Sequence, residues 1–589
     1  MQLQKEIDII KALENTIQFY LLIGGKISPF FACLLFVMSL INFFSLGGIQ
    51  ETGKNLYVLE IDKDLFVFDC GMKYPPSDYY GIDLIMPDIT YLCLNSRRIK
   101  GIFLSHAHDD HIGAIAHILK NINIPVYGSS FTIDIVKGLL KEYELNPDDY
   151  ELNKILPNQE LRFGFNVLTF IEANHSIPGS MMIDIKTRDG HILYTGNYNF
   201  DQNAEIKTDI KSLVKLKDDG VLLLLAESIS TNLEINRSLN ENFKYLVQKE
   251  IEEARGRTII SIFSTNLNRI KQVIDIAAKK NKKVCIIGRK TQRIVSAALD
   301  GGYLNISKDV LVNLRFRDEN NNNDSKDYVC LVCGERHEPY YMLQRMIKGY
   351  DRLIQINEKD KVIIMTRPHL GTEKMAAHTL DLLYRKTDDV VIFPKELLMS
   401  ASSSSEEVKQ LINLLNPKYI LPVIGEYRHQ YFLKNTAINL GYDDKNIIIP
   451  ELGEIHSFYD KKYIGIPSKI NVGDILLEGK GFNDVPDQVL KDRLLLSESG
   501  MLVFVANINA KDRKKMSKPE IITKGFYLEK RLEKGIIKLF DDITEEVFKG
   551  KFINWVTYKQ NVKSEIVKYI EKETGSNPLV IAQIISTEL

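Results

Sequence analysis

The sequence predicts an α/β protein with more than one domain. Short apolar runs of about four to eight residues, typical of buried strands, alternate with longer segments of helical periodicity. A chain of 589 residues is also too long to fold around a single hydrophobic core. A His-rich segment directly after one predicted strand places a candidate chemical site within this fold class.

The predicted elements form successive strand–helix series. Strands are predicted at 40–48, 56–60, 65–68, 102–104, 221–226, 257–262 and 284–287, and helices at 112–120, 132–143 and 267–279. A further series occupies 361–458, and a basic, mixed tail domain fills 486–589. Residues 318–324, which contain four consecutive Asn, are predicted to form a polar surface loop.

Composition argues against a strongly charged protein and against a disulfide-rich one. The net charge is -1, so any surface that binds a polyanion must be a local patch. The six cysteines are scattered along the chain and do not form a disulfide framework. Cys330 and Cys333 make a lone CxxC inside an apolar run, with no second pair at zinc-finger spacing, and are predicted to be buried strand residues.

The first 37 residues are predicted to lie outside the fold. Residues 27–49 carry no charge, but 40–48 has the pattern of a strand that leads into a globular domain. What is left after Pro29 is about 10 mostly apolar residues, fewer than the ~20 that a spanning helix needs. We therefore interpret residues 1–37 as an extension or as the result of a start assigned too early, with Met38 as the natural start. A membrane anchor is the alternative.

The strongest chemical signal is the segment Ser105-His106-Ala107-His108-Asp109-Asp110-His111. It follows the predicted strand at 102–104 and leads into the predicted helix at 112–120. Alternation places His106 and His108 on one side of an extended segment, and the start of the helix brings Asp110 and His111 back towards them. Three imidazoles and a carboxylate are the donor set that zinc prefers, so the segment predicts a metal site.

This pattern and several others resemble the ribonuclease J family. HxHxDH after a strand is the metal motif of the metallo-β-lactamase fold. Further segments similar to the family are 47–55, 69–71, 81–84, 87–89, 174–178, 425–428, 519–522, 524–526 and Trp555 before a final helix. The similarity covers about residues 40–589, and the combination is far more specific than the HxHxDH motif alone.

The resemblance implies an architecture and a biochemistry. The implied parts are a metallo-β-lactamase αββα sandwich at 38–226 and 381–465, an inserted β-CASP α/β domain at 227–380, a linker at 466–485 and a small C-terminal α/β domain at 486–589. It also implies a Zn²⁺ cofactor, with Mn²⁺ or Mg²⁺ as alternatives. Members of the family are cytoplasmic enzymes that form dimers or larger assemblies. They cut RNA internally and degrade it from a 5′-monophosphate end.

The resemblance carries site residues onto this chain one by one. His106, His108 and His175 match the ligands of the first metal, and Asp110 and His111 match two ligands of the second. Asp69 matches the acid that supports the ligand loop, a role that metal sites usually need. Glu227 matches the acidic residue that heads the β-CASP insertion. Asp110, Asp69 and Ser402 are the candidate catalytic residues.

Three positions depart from the family pattern. Asn197 replaces an Asp that bridges the two metals, and an amide offers only its neutral carbonyl oxygen as a ligand. Ile424 replaces a His ligand and cannot bind metal. Ser402 replaces a His that contacts the scissile phosphate. The first site therefore keeps three imidazoles, enough for one zinc, whereas occupancy of the second is expected to be weak.

The residues that would bind RNA match the family pattern only in part. Residues that match positions along the family's RNA path are Thr265, Asn266, Arg269 and Arg289. A turn at 366–371 replaces a Ser-rich turn that helps to hold the 5′-phosphate, so recognition of that phosphate is in doubt. Arg367 and His369 of this turn are candidate phosphate contacts, and exposed loop charges without a ligand are the alternative interpretation.

Three function classes follow from this comparison. The first is a weak or inactive RNA-binding paralogue that assembles with itself or with an intact ribonuclease J, since several bacteria carry such a pair. The second is a working metal-dependent endoribonuclease and 5′-3′ exoribonuclease. The third, a small-molecule hydrolase of the same fold, is disfavoured because it does not need the long insertion and tail.

Overall fold

The structure is a computed structural model that describes residues 39–76, 79–201, 204–233, 239–307, 309–312, 327–369, 371–398, 402–479, 484–550 and 553–587. The predicted extension at 1–37 and the predicted loop at 318–324 lie outside these ranges. Within them, none of the helices has the length and apolar character needed to span a bilayer. The described residues fall into two compact units, one drawn from 1–74 and 84–475 and the other from 75–83 and 476–589.

Two β-sheets lie at the centre of the first unit. One has eight strands in the order Lys462–Gly465, His456–Tyr459, Ile41–Gly47, Leu56–Ile61, Asp64–Phe68, Ile99–Phe103, Val126–Ser129 and Leu152–Ile155. The other has six in the order Tyr419–Val423, Val221–Glu227, Gly190–Tyr194, Met181–Thr187, Asn166–Glu172 and Glu160–Phe163. Their facing side chains, among them Phe68, Phe103, Phe170 and Leu223, form one buried apolar cluster.

Helices cover the outer faces of this sandwich. Thr90–Leu94, Asp109–Ile112, Ile115–Asn121 and Ser130–Glu142 follow strands of the larger sheet, and Ile210–Asp219, Ser405–Leu415 and Tyr427–Asn439 belong with the smaller one. Leu213, Val408 and Leu433 from the latter three helices join a second buried cluster with the strand residue Leu224. The αββα sandwich that the resemblance implied is therefore confirmed.

A third sheet is inserted between strands Val221–Glu227 and Tyr419–Val423 of the smaller sheet. Its five parallel strands lie in the order Lys283–Ile287, Tyr328–Gly334, Thr258–Phe263, Lys361–Ile364 and Val390–Ile392. Helices Leu239–Glu253, Leu267–Lys279, Arg289–Asp300, Glu338–Ile347 and Glu373–Tyr384 connect or flank them. Parallel strands covered on both faces are apolar throughout, and Cys330 and Cys333 are buried here, as predicted.

The second unit contains a small α/β domain. Strand Met501–Asn509 pairs with Lys514–Lys515 and Glu520–Lys524 in antiparallel fashion and with Leu579–Thr587 in parallel. Ile536 of helix Lys530–Lys549 and Val562 of helix Trp555–Thr574 belong to one buried apolar cluster with Phe504 of strand Met501–Asn509. Elsewhere in the described ranges lie helix Asp487–Ser499, the short strands Leu84–Pro87 and Asp474–Leu477, and 3-10 turns at Ser96–Arg98, Pro147–Asp149, Lys395–Leu398 and Asp444–Asn446.

Candidate metal centre

Three imidazoles converge where two strands of the sandwich end. His106 and His108 follow strand Ile99–Phe103, and His175 follows strand Asn166–Glu172. Nδ1 of His108 lies 3.1 Å from Nε2 of His106 and 3.2 Å from Nε2 of His175. Among the residues that the structure describes, this is the only group of three or more His, Cys, Asp or Glu side chains arranged to hold a metal ion.

The three-imidazole cluster fits a divalent cation. Burial lowers the pKa of His106, and its neighbours His111, His108 and His175 lower it further. Burial also lowers the pKa of His108. Neutral imidazoles at neutral pH present lone pairs rather than protons, and three converging nitrogen lone pairs are the ligand set of a zinc site. The residues present therefore fit one ion of the kind that the resemblance implies.

Asp69 binds the His-rich loop at 105–111 through hydrogen bonds. It is fully buried, and it accepts hydrogen bonds from the backbone N–H of Ser105 at 2.7 Å, the hydroxyl of Ser105 at 2.8 Å and Tyr194 OH at 2.6 Å. His111 Nδ1 lies 2.6 Å from its carboxylate. These contacts use both carboxylate oxygens, so Asp69 orients the loop and is not a ligand in this arrangement.

Asp110 and His111, the two residues matched to the second metal, are engaged with each other. Asp110 Oδ2 lies 3.4 Å from His111 Nε2, and Asn55 Nδ2 lies 3.1 Å from the same nitrogen. Burial opposes charge on His111, but the carboxylates of Asp110 and Asp69 raise its pKa to about 10. Burial alone would raise the pKa of Asp110, yet His111 lowers it below its usual range. Because Asp69 holds Nδ1 of His111, Nε2 is the nitrogen that faces Asp110, and the two side chains offer a second metal only two donor atoms.

Asn197 presents its amide nitrogen to Glu227. Nδ2 donates to Glu227 Oε1 at 2.6 Å, and Oδ1 is buried without a hydrogen-bond partner among the described residues. Glu227 is fully buried, and burial raises the pKa of this carboxyl to about 7. A buried carbonyl oxygen that lacks a donor is uncommon and calls for an explanation such as a bound ion.

Ser402 and its neighbour Ser403 also contact Glu227 rather than the imidazoles. The Ser402 side chain hydrogen-bonds the Glu227 carboxylate. The Ser403 hydroxyl donates to Glu227 Oε2 at 3.0 Å. Helix Ser405–Leu415 fixes the position of Ser402 and Ser403, because Ser404 and Glu407 form a capping box at the start of this helix. The loop that precedes the helix is thereby held against the end of strand Val221–Glu227.

Ile424 fills the position of the family's remaining His ligand with an apolar side chain. It is 2 % exposed and packs in the cluster between the two sheets with Ile49 and Val423. Its φ of 54° is left-handed, a conformation that is unfavourable for a β-branched residue. Tyr57 OH accepts the Ile424 N–H at 3.0 Å, and Ser228 Oγ donates to its carbonyl at 3.1 Å. Both contacts hold the backbone and are independent of the side chain.

The inserted domain contributes the opposite wall of the site. The Thr265 carbonyl lies 3.0 Å from His108 Nε2, and Asn266 caps helix Leu267–Lys279. A cavity of about 300 Å³ beside His175 is lined mainly by polar residues of this helix and of nearby loops. Arg269 is buried, stacks on Phe243 at 3.9 Å and donates to the Leu397 carbonyl at 3.1 Å, so little of its charge faces the cavity.

The remaining predicted RNA contacts lie at the surface of the inserted domain. Arg289, the first residue of helix Arg289–Asp300, is exposed. Arg367 is half-buried at the mouth of a small cavity, and the exposed His369 lies 4.8 Å from the Phe263 ring. Their contacts with RNA stay predictions.

Sequence reasoning named the segments that contain Asn55 and Lys290 but missed the contacts that these two residues make. Asn55 is the last residue of the segment 47–55 that resembles the family, yet nothing in the sequence showed that it contacts Asp110 and His111. Lys290 is held by Asp109 Oδ2 at 3.1 Å and Glu335 Oε1 at 2.7 Å, which ties the His-rich loop to the inserted domain. These partners are 181 and 45 residues away from Lys290, so only the tertiary fold brings them together.

Comparisons with known proteins agree with this architecture. Four family models match the chain: Metallo-beta-lactamase superfamily at 50–213, Ribonuclease J, beta-CASP domain at 255–383, Zn-dependent metallo-hydrolase RNA specificity domain at 395–450, and Ribonuclease J C-terminal domain at 488–587. The chain is 32% identical to Ribonuclease J2 of Bacillus subtilis over 92% of its own length and 98% of that protein. It is 31% identical to Ribonuclease J 2 of Staphylococcus aureus with the same coverage.

Proposed function

This chain belongs to the ribonuclease J family of RNA-processing proteins, and we propose that it is a weak or inactive member that binds RNA and acts together with an active ribonuclease J. Ile424 carries this proposal. An apolar side chain occupies the place of a ligand, so among the described residues that match the family's second site only Asp110 and His111 remain as donors. Two-metal hydrolysis needs both ions to stabilise the attacking and leaving oxygens.

The other two replacements support the same conclusion. Asn197 and Ser402 are both hydrogen-bonded to Glu227, so neither is positioned to bridge metals or to protonate a leaving group. Losing one stabilising donor typically lowers a rate by about 10²–10³. The loss of a bridge, a ligand and a phosphate contact together is expected to cost more, although such effects do not simply add.

The three-imidazole centre and the cleft beside it remain suited to binding. A zinc ion held by His106, His108 and His175 would supply a positive charge for an RNA phosphate. The cavity beside His175 is lined by polar groups, among them Asn268 and Lys271. Asn268 Nδ2 donates to the His175 carbonyl and Lys271 pairs with Glu205 and Asp275, so ribose and phosphate oxygens would have to exchange for these partners. The proposed role as the partner of an active enzyme rests on the similarity to relatives named Ribonuclease J2 and Ribonuclease J 2.

A nuclease assay on the purified chain tests this proposal. Labelled RNA with a 5′-monophosphate is incubated with the protein and zinc, manganese or magnesium, and His106→Ala/His108→Ala serves as the control. We expect binding without cleavage above the control. Co-purification from the source cell should also recover an intact ribonuclease J. Metal-dependent cleavage that disappears in the control would refute inactivity.

An active ribonuclease is the second candidate. The intact cluster of His106, His108 and His175 favours it, because three imidazoles are sufficient for catalytic zinc sites in other enzymes. In that case, cleavage should follow zinc occupancy of this cluster at one ion per chain.

A further inference from the structure

Four side chains form an ion cluster between the His-rich loop and the inserted domain. Lys290, the second residue of helix Arg289–Asp300, lies 3.1 Å from Asp109 Oδ2 and 2.7 Å from Glu335 Oε1. Tyr74 OH donates to Glu335 Oε2 at 3.0 Å and lies 3.3 Å from Asp109 Oδ2. Tyr74 and Asp109 belong to the sandwich, and Lys290 and Glu335 belong to the inserted domain. We call these four residues the latch.

Two contacts of the latch cross between the domains, Lys290 with Asp109 and Tyr74 with Glu335. The carboxylate side chains of Asp109 and Glu335 are only 19 % and 16 % exposed. Partial burial makes such contacts stronger than those of ion pairs in full contact with water. Among the described residues, Lys290 is the only cation within ion-pair distance of either carboxylate. The closed arrangement therefore depends on a single ammonium group.

Two further contacts join the inserted domain to the segments that carry the imidazoles. The Thr265 carbonyl lies 3.0 Å from His108 Nε2. The Asn268 N–H donates to the carbonyl of Ser176, the residue after His175, at 3.1 Å. Contacts of this length leave no space for a nucleotide between the two surfaces. An RNA strand that runs between the domains at this point therefore requires them to separate.

We propose that the latch is an autoinhibitory contact, in which Lys290 keeps the inserted domain closed on the His-rich loop and thereby limits the entry of single-stranded RNA. The proposal deepens the RNA-binding function and rests on it, because it names what controls access to the same site. Opening separates Lys290 from Asp109 and Tyr74 from Glu335. Only the open fraction of the protein binds a strand that runs between the domains, so the apparent affinity is reduced by that fraction.

Hydrogen exchange without RNA tests whether Lys290 holds the domains together. The Asn268 amide reports on opening, because its N–H donates to the Ser176 carbonyl across the interface. Lys290→Glu places three carboxylates together, so exchange in the segment 265–269 should become at least about 10-fold faster. The measurement is made at pH 8, where Glu335 is charged, because burial raises the pKa of this carboxyl to about 7.

A charge swap separates this effect from damage to the fold. Lys290→Glu/Glu335→Lys keeps the net charge and again presents an ammonium to Asp109, so exchange should return close to the wild-type rate. Arg293→Gln is the matched control. Arg293 pairs with Glu142 across the same interface at 2.7 Å, but their side chains are 62 % and 40 % exposed, so exchange should change little. Wild-type exchange in Lys290→Glu would overturn the proposal, and so would a charge swap that stays as fast as Lys290→Glu.

Tyr74→Phe tests whether closure limits RNA entry. The variant keeps the ring, which the Arg336 guanidinium covers at 5.0 Å, and removes only the hydroxyl that donates to Glu335. Loss of a hydrogen bond to a charged group should raise the open fraction, and with it the affinity for a labelled oligouridylate, by about 10-fold. The net charge does not change, so electrostatic attraction of RNA stays the same. Tyr442→Phe, which removes a hydroxyl bonded to Asn416 within the sandwich, should leave the affinity unchanged.

The two measurements distinguish the latch from the proposed function. Faster exchange and tighter RNA binding in Tyr74→Phe are the expected result. Faster exchange with unchanged RNA affinity would overturn the autoinhibitory role, while RNA binding itself would stand. If neither the wild type nor Tyr74→Phe binds RNA, the RNA-binding function is refuted and the autoinhibitory role with it.

Discussion

Restoring the family pattern at three positions should convert the chain into a nuclease. The variant is Asn197→Asp/Ser402→His/Ile424→His. It adds a bridging carboxylate, a phosphate contact and the missing imidazole ligand, while every backbone contact of the site stays. Because Tyr57 and Ser228 hold the backbone of residue 424 rather than its side chain, the new imidazole should take the orientation that the fold already prepares.

The cost in stability can be worked from the burial of Ile424. Removing a fully buried isoleucine loses about 1.5–3 kcal/mol of apolar burial. The left-handed backbone costs any L-residue with a Cβ roughly 1–2 kcal/mol, so histidine returns little of this. The metal-free variant should therefore be less stable by about 1.5–3 kcal/mol at this position. The carboxylate introduced by Asn197→Asp would also face Glu227, and two adjacent buried carboxylates cannot both ionise without a cation.

Metal content and cleavage rate check this prediction. The metal content should rise from about one ion per chain to about two, and the cleavage rate by at least about 10²-fold, the contribution of a single restored donor. The matched control carries Ile424→Asn instead of Ile424→His, because Asn tolerates the left-handed backbone without supplying an imidazole. A folded triple variant that binds two ions and still leaves RNA intact would refute the argument from the three replacements.

Three further predictions concern stability and RNA binding. Asp69→Asn should lower the free energy of opening of residues 104–111, measured by hydrogen exchange, by about 3–5 kcal/mol. The neutral amide cannot accept all of the hydrogen bonds that the buried Asp69 carboxylate accepts. Burial lowers the pKa of His456 to about 4, so the folded state binds fewer protons than the unfolded state below pH ~6.5. Stability should fall by up to about 3 kcal/mol as pH drops from ~6.5 to ~4, and His456→Gln should flatten that part of the profile. Arg367→Ala should weaken RNA binding and reduce its salt slope by about 1, whereas Arg269→Ala should lower the melting temperature instead, because that guanidinium is buried.

Local pattern predicted much of the fold. Helix Leu267–Lys279 has the predicted bounds, and strand Val221–Glu227 extends the predicted 221–226 by one residue. Their signals are contained in the segment itself, a 3.6-residue period in one case and an unbroken apolar run in the other. The predicted helix 112–120 was less accurate, since the structure has two helices, Asp109–Ile112 and Ile115–Asn121.

The site was predictable only where its residues are close in sequence. His106 and His108 follow from two-residue spacing after a strand, whereas the resemblance alone pointed to His175. The contact of Asn197 with Glu227 joins residues 30 apart, and no period or composition indicates it. The burial of Arg269 was hidden for a related reason: a sequence shows a charge but not the aromatic ring and carbonyl that surround it.

At Ile424, the hydrogen bonds that hold the fold involve the backbone, whereas metal binding would need the side chain. The left-handed backbone there is maintained by a tyrosine hydroxyl on its N–H and a serine hydroxyl on its carbonyl, and neither contact depends on the nature of the side chain. The side chain faces an apolar cluster, where an isoleucine gains burial that an imidazole would not. Under the proposed function, a change at this position would remove a metal ligand and leave the backbone around the three imidazoles in place. Such a chain can keep the shape of a nuclease, and with it the surfaces that bind RNA and partners, after the chemistry is lost.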